Sequence, residues 1–231
     1  ASMMAIYPHT FKTLRYTPSV DFQPVSRVVS YDFALAVGPG AGGASTLQEF
    51  IAWARQNPTK GAFASPAAGS APHFLGAMFA EAAKATLLHV PYRGTAPAIP
   101  DVIGGTVPSV FSVFGDLMPH HKAGKMRILA MTGAKRSELL PDVPTLAELG
   151  FPSMTFSEWY GLFAPAGTPA GRVTELQKAT ADALQVASVA SKLNELAFQP
   201  APSAPDELRR QLASDHTFWG EYVRKTGFVA E

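Results

Sequence analysis

The sequence predicts an α/β protein, and three observations carry the prediction. Short apolar runs end in small or turn-forming residues and lead at once into helix-starting signals. Two such strand–turn–helix units, Phe63 to Leu75 and Leu88 to Gly105, begin about 25 residues apart, the spacing of neighbouring strands in a parallel sheet. Strand-like and helix-like segments also alternate along the chain instead of separating into blocks.

Composition sets the outer bounds. The chain has 231 residues, 47% of them hydrophobic and 16% charged, enough to bury one large core or two small ones. Nineteen Lys and Arg balance eighteen Asp and Glu, and no basic run is interleaved with aromatics, which argues against a nucleic-acid partner. No apolar run approaches the roughly 18 residues of a membrane-spanning helix. Cysteine is absent, which excludes disulfides, thiolate metal sites and a Cys nucleophile; this suits an oxidising compartment, though cytosolic proteins also lack Cys. The opening ASMMAIYPHTF has neither a basic n-region nor an apolar h-region. The chain is therefore either cytosolic, or a mature form or fragment whose leader is absent.

In order, residues 1 to 27 read as mostly irregular chain lying over a body, with aromatics spaced among Pro8, Pro18 and Pro24. Val25 to Val37 carries one or two strands, broken near Ser30 to Asp32. Gly38 to Gly43 formally satisfies G-x-G-x-x-G, but the next strand, Gly61 to Ser65, ends in Ser65 and Pro66 where a dinucleotide site needs an acidic residue for the ribose. These glycines read as a flexible surface loop. Thr46 with Glu49 makes a capping box opening the helix Leu47 to Gln56.

The chemistry concentrates in the two repeated units. In the first, the strand ends at Ser65, Ser70 can cap, and Pro72 opens a helix bearing Phe74, Leu75, Met78 and Phe79 at core spacing. In the second, Leu88 to Val90 runs into a Gly-Thr turn, Thr95 can cap, and Pro97 lies in the first helical turn. Each is either a plain connection or a set of unpaired backbone N–H groups suited to a carboxylate or phosphate, and two side by side would converge on one crevice. His73 reads as a core or rim histidine. Val107 to Phe114 is a third strand, followed by a helix over Asp116 to Ala123 and a strand Arg127 to Thr132. His120 and His121 are adjacent, cannot chelate one metal as an i, i+4 pair would, and read with Lys122 as a solvated helix end. Ser137 to Gly150 is a connection with a second cap, Thr145 before Glu148. Phe156 to Phe163 is an aromatic strand; helices follow from Pro169, capped by Thr168, to about Val186, over Ser188 to Leu196, and over Pro205 to Thr226. Trp159 reads as core, and on a crossover strand can also serve as a ligand platform.

No nucleophile elbow, H-E-x-x-H, P-loop or acidic metal cluster is present, and no acid orients Ser70 and His73. A site of backbone amides and hydroxyls without acid/base pairs binds an anion without transforming it, so no enzyme, cofactor or metal is expected.

The runs VPYRGTAPAIPDVIGGTV, PHHKAGKMRILAMTGAKRSELLPDVPTLAELGFP and WYGLFAPAGTPAGRVTEL resemble the Bug receptors, the TctC-like extracytoplasmic solute-binding proteins of tripartite tricarboxylate transporters. The opening IYPHTFKTLRYTPSVDFQPVSRV is similar to that family too, so the resemblance covers essentially the whole chain. It implies the type II periplasmic-binding fold, two lobes joined by a hinge and closing on a small carboxylate, with a leader removed and membrane permease subunits as partners. It also implies that lobe one, residues 1–34 and 158–231, lacks about 70 residues that precede this point in the family, whereas lobe two, residues 35–157, is complete. The hinge is expected at Phe33 to Val37 and Ser157 to Tyr160. Carried over by position, the ligand site is expected at Ser65, Ala68, Gly69, Ser70, Tyr92, Gly94 and Thr95, with Ser112 and Trp159. The family often has Asp where this chain has Pro108 and Ser112, which bears on ligand preference. The alternatives are a truncated receptor that binds nothing and, from another class, a nucleotide-dependent enzyme using Gly38 to Gly43.

Overall fold

A computed structural model describes residues 2–230. In chain order the elements are α1 (Ser2–Ala5), α2 (Tyr7–Thr10), α3 (Pro18–Asp21), β1 (Phe22–Val37), α4 (Leu47–Gln56), β2 (Ala62–Ser65), α5 (Ala71–Ala82), β3 (Leu88–Pro91), α6 (Ala98–Ile103), β4 (Ser109–Val113), α7 (Phe114–Lys122) and β5 (Arg127–Met131). They are followed by β6 (Ser157–Pro165), α8 (Ala170–Gln185), α9 (Ala187–Glu195), β7 (Gln199–Pro200) and α10 (Pro205–Thr226). Two compact units result, one from the residues up to Ser30 and from Glu158 onward, the other spanning Tyr31–Ser157.

The unit Tyr31–Ser157 is built on a five-strand path, β3-β2-β4-β1-β5. β2 pairs in parallel with β3 (Ala62↔Leu88 through Ser65↔Pro91) and with β4 (Phe63↔Ser109, Ala64↔Val110). β1 runs antiparallel to β4 and β5, with a register shift between Leu35 and Ala36 on the β5 side. Phe63, Phe79 and Phe111 are at most 1% exposed and pack ring to ring, with the Phe111 centroid 6.3 Å from Phe63 and 5.8 Å from Phe79. The parallel strands place the chain turns after β2 and β3 at the same sheet end, because both strands point the same way and their last residues pair.

The other unit takes the first half of β1, which pairs with β7 at Val29↔Pro200 and Ser30↔Gln199, together with β6 and the helices α8 to α10. Val25, Ala164 and Val173 form one buried cluster, and Trp219 is 1% exposed on α10.

Three expectations need correction. Residues 1 to 27 are not mostly irregular, since α1 to α3 occupy much of them, burying Ala5, Ile6 and Thr10. Val25 to Val37 is not broken near Ser30, because β1 is one strand that changes partners there. The start of the Gly38 to Gly43 segment is packed, while Gly42 and Gly43 are exposed at the surface. A Cβ at Gly38 would stand 1.9 Å from the Val102 carbonyl oxygen and one at Gly40 2.5 Å from that of Gly105, so close backbone approach explains both glycines.

Candidate functional site

Ser65 is the last residue of β2, and the chain from Pro66 to Ser70 turns into α5. Pro91 ends β3, and Tyr92 to Pro97 forms the neighbouring turn. Two backbone bonds join the turns, Tyr92 N–H to the Ser65 carbonyl (2.9 Å) and Gly94 N–H to the Pro66 carbonyl (2.8 Å). Gly94 adopts φ +101°, a conformation that side chains rarely allow. The second turn also reaches beyond its own strand. β2 lies between β3 and β4, yet Thr95 Oγ1 meets Ser112 Oγ on β4 at 2.7 Å, so this turn arches over the end of β2.

The expected ligand groups divide into those that build the turns and those left to donate outward. Ser65 is fully buried, its Oγ 2.7 Å from His89 Nε2 and donating to the Ala67 carbonyl at 3.2 Å. Ser70 Oγ donates to the same carbonyl at 2.7 Å, and Gly69 N–H donates to His73 Nδ1 at 3.0 Å. The Tyr92 hydroxyl donates to Asp101 at 2.5 Å. Burial, reinforced by that bond and by the Asp101 charge, pushes the phenol up to about 12, so it stays protonated. Ser65, Gly69, Ser70, Tyr92 and Gly94 therefore spend these groups inside the protein, where they build the turns.

By contrast, among the described residues no acceptor engages the N–H of Ala67, Ala68, Thr95 or Ala96. Thr95 and Ser112 share one hydroxyl bond, and Ser112 is fully buried; when Ser112 donates, the Thr95 proton is left for an acceptor outside. The arrangement offers backbone amides and a hydroxyl at the end of three parallel strands, which suits a carboxylate.

Other expectations are corrected by geometry. Ser70 makes no side-chain cap, its hydroxyl turning back to the Ala67 carbonyl, and Thr95 is not the N-cap, a place taken by Pro97. Thr168 likewise turns back to Pro165 instead of capping α8. Trp159 is 4% exposed and its indole N–H donates to Asp215 at 2.7 Å, a core placement in the other unit. His121 is not merely solvated, since its Nδ1 accepts from Ile128 N–H at 3.0 Å and ties α7 to β5. Arg93 is exposed. Among the described residues no group of three or more His, Asp or Glu is placed to hold a metal ion, and no helix is long and apolar enough to cross a membrane.

Sequence reasoning missed His89. Its ring stacks on His73 with centroids 3.7 Å apart and planes 14° apart. Nothing local announces it; only the β2–β3 register, which sets His89 beside Phe63, brings the two histidines together. A cavity of about 850 Å³ lies in the other unit, bordered by Phe11, Leu14, Tyr16, Phe22, Leu212 and His216, and it touches none of the expected ligand residues.

Comparison with known proteins places this geometry in a family. The chain is 32% identical to Protein BugT of Bordetella pertussis over 215 residues, covering 93% of this chain and 66% of that protein. It superposes on the solved structure of R. palustris Rpa4515 with adipate with a TM-score of 0.91 at 29% identity, covering 99% of this chain and 76% of that one. The corresponding figures for MatC from Rhodopseudomonas palustris with bound malate are 0.85, 26%, 96% and 76%. The chain thus spans about two thirds of BugT and three quarters of each solved chain, and its fold is that of the two-lobed periplasmic binding proteins. The family described as Tripartite tricarboxylate transporter family receptor (TctC) matches residues 1–228, and the protein belongs to it.

Proposed function

We propose that this chain is the ligand-binding part of a periplasmic receptor that takes up a small carboxylate and hands it to the membrane permease of a tripartite tricarboxylate-type transporter. The observation that carries the reading is the pair of tied turns after β2 and β3, whose Ala67, Ala68, Thr95 and Ala96 N–H groups lack internal acceptors among the described residues. Backbone amides held in fixed directions bind a carboxylate through charge-assisted hydrogen bonds, and no arginine is required. The adipate and malate of the two solved relatives are both dicarboxylates, which supports that ligand class here. The titratable groups beside the turns are engaged with protein partners, His89 with Ser65, His73 with Gly69 and Asp101 with Tyr92, which supports binding without chemistry.

The test is a thermal-shift and calorimetric screen of adipate, malate, citrate, glutamate and benzoate, on this chain and on the full reading frame that contains it. At least one carboxylate should raise the melting temperature in a concentration-dependent way. No stabilisation of either form by any of the five would overturn the proposal.

A further inference from the structure

We infer that His73 and His89 are positioning residues: stacked beneath the turn after β2, they fix the two peptide groups flanking Ala68 and so aim the Ala68 N–H as a ligand donor. The inference deepens the receptor reading and rests on it for the identity of what is bound.

The argument starts from peptide planarity. The Ala67 carbonyl and the Ala68 N–H belong to one trans peptide, so they point in opposite directions, and whatever fixes the carbonyl fixes the N–H. That carbonyl accepts from Ser70 Oγ at 2.7 Å and from Ser65 Oγ at 3.2 Å. Ser65 Oγ is itself held by His89 Nε2 at 2.7 Å. The assignment that uses both contacts of Ser65 has His89 Nε2–H donating and the serine proton passing on to Ala67. On the other side of Ala68, the next peptide is fixed by its own N–H, that of Gly69, donating to His73 Nδ1 at 3.0 Å. This bond requires an unprotonated Nδ1, hence a neutral ring with its proton on Nε2.

The surroundings keep both rings neutral and in place. Phe63 lies under the pair, its centroid 5.1 Å from His89 and 6.5 Å from His73, and Phe74 stacks on His73 at 5.0 Å. Burial lowers His73 to about 4; burial and then the facing His73 lower His89 to about 3. A pair of histidines in an apolar setting, each spending a ring nitrogen on a residue of one turn, is a brace for that turn. Were the pair only core filling, isosteric apolar rings would serve equally well.

The deciding measurement uses the ligand-free protein. In 15N-labelled wild type at neutral pH, a scalar coupling should connect the Gly69 amide nitrogen with His73 Nδ1, and the ring shifts should report the Nε2–H tautomer. His73→Asn places an acceptor near the Nδ1 position and should keep the Gly69 amide protected from exchange. His73→Leu should speed its exchange at least about tenfold. The parallel pair at position 89 is His89→Gln, which retains a polar group at the Nε2 position, against His89→Leu. Absence of the coupling, or equal Gly69 exchange in wild type, His73→Asn and His73→Leu, would overturn the inference, and the coupling decides even where a leucine variant fails to fold. Titration with adipate and malate then separates the two proposals. Tighter binding to the Asn and Gln variants than to the Leu variants supports the brace. Binding to neither ligand by wild type counts against the receptor reading, while the brace still stands or falls on the coupling.

Discussion

The Tyr92 hydroxyl and the Asp101 carboxylate, 2.5 Å apart, clamp the turn after β3 to helix α6. The half-buried site reduces what a bond to a charged group contributes, so Tyr92→Phe should lower unfolding stability by about 1 kcal/mol in urea titrations. It should also remove the phenol that titrates near 12 in ultraviolet difference spectra. His73 gives a pH dependence of definite sign. Its folded-state value of about 4 lies below the roughly 6.5 of an unfolded histidine. Above that value both states are neutral and nothing is at stake. As pH falls from 6.5 toward 4 the unfolded chain binds the proton first, so stability is lost on acidification. For a side chain only 8% exposed the loss is on the order of 3 kcal/mol. His89, His121 and His216 are shifted the same way, so the check is the difference between wild type and His73→Asn in stability measured across that window. The variant should show a slope shallower by about one proton.

At the scale of elements, α5 sits on β2 through a glycine. A Cβ on Gly76 would stand 2.1 Å from the Phe63 ring, closer than real contacts allow. Helix propensity alone would favour Gly76→Ala by about 1 kcal/mol, but overpacking costs about 1–3 kcal/mol and the ring is fully buried. The clash should win, giving a lower urea midpoint for Gly76→Ala, with the His73–His89 stack disturbed because it rests on the same ring. The caps show how much of this scale is local. The capping box of Thr46 and Glu49 forms as the spacing requires, since both partners lie within four residues on one turn. Ser70 stands in the same place before α5, but the Ala67 carbonyl takes its hydroxyl, and Thr95 lies two residues before the Pro97 N-cap with its hydroxyl on Ser112.

For the whole molecule, the arrangement of the chain is asymmetric. The unit Tyr31–Ser157 is one continuous segment holding the five-strand path and the phenylalanine core, whereas the other unit is assembled from both ends of the chain. Residues 31–157 expressed alone should therefore fold, with dispersed amide resonances and a single cooperative thermal transition. A molten far-ultraviolet signal without near-ultraviolet structure would contradict this. The division falls at Ser30 and Tyr31 on the first crossing, a few residues before the boundary at 34 that the resemblance implies, and at Ser157 and Glu158 on the second. The first boundary has no local signature, because β1 crosses it as one unbroken strand, and strand propensity does not record which partner a residue pairs with.

Periodicity and turn chemistry were enough to fix the α/β class, the two strand–turn–helix units and the 22 residues of α10. These are properties of residues close in sequence, and hydrophobic spacing reports them directly. The tertiary structure alone decided where the polar groups spend their bonds. Trp159 went to Asp215, Ser65 to His89 and Thr95 to Ser112, over separations of 56, 24 and 17 residues. A hydrogen bond forms with whatever lies within about 3 Å, and strand order, not the neighbouring sequence, sets that distance. The strand order β3-β2-β4 set the two local turn signals side by side, and set beneath them a histidine pair that neither signal contained.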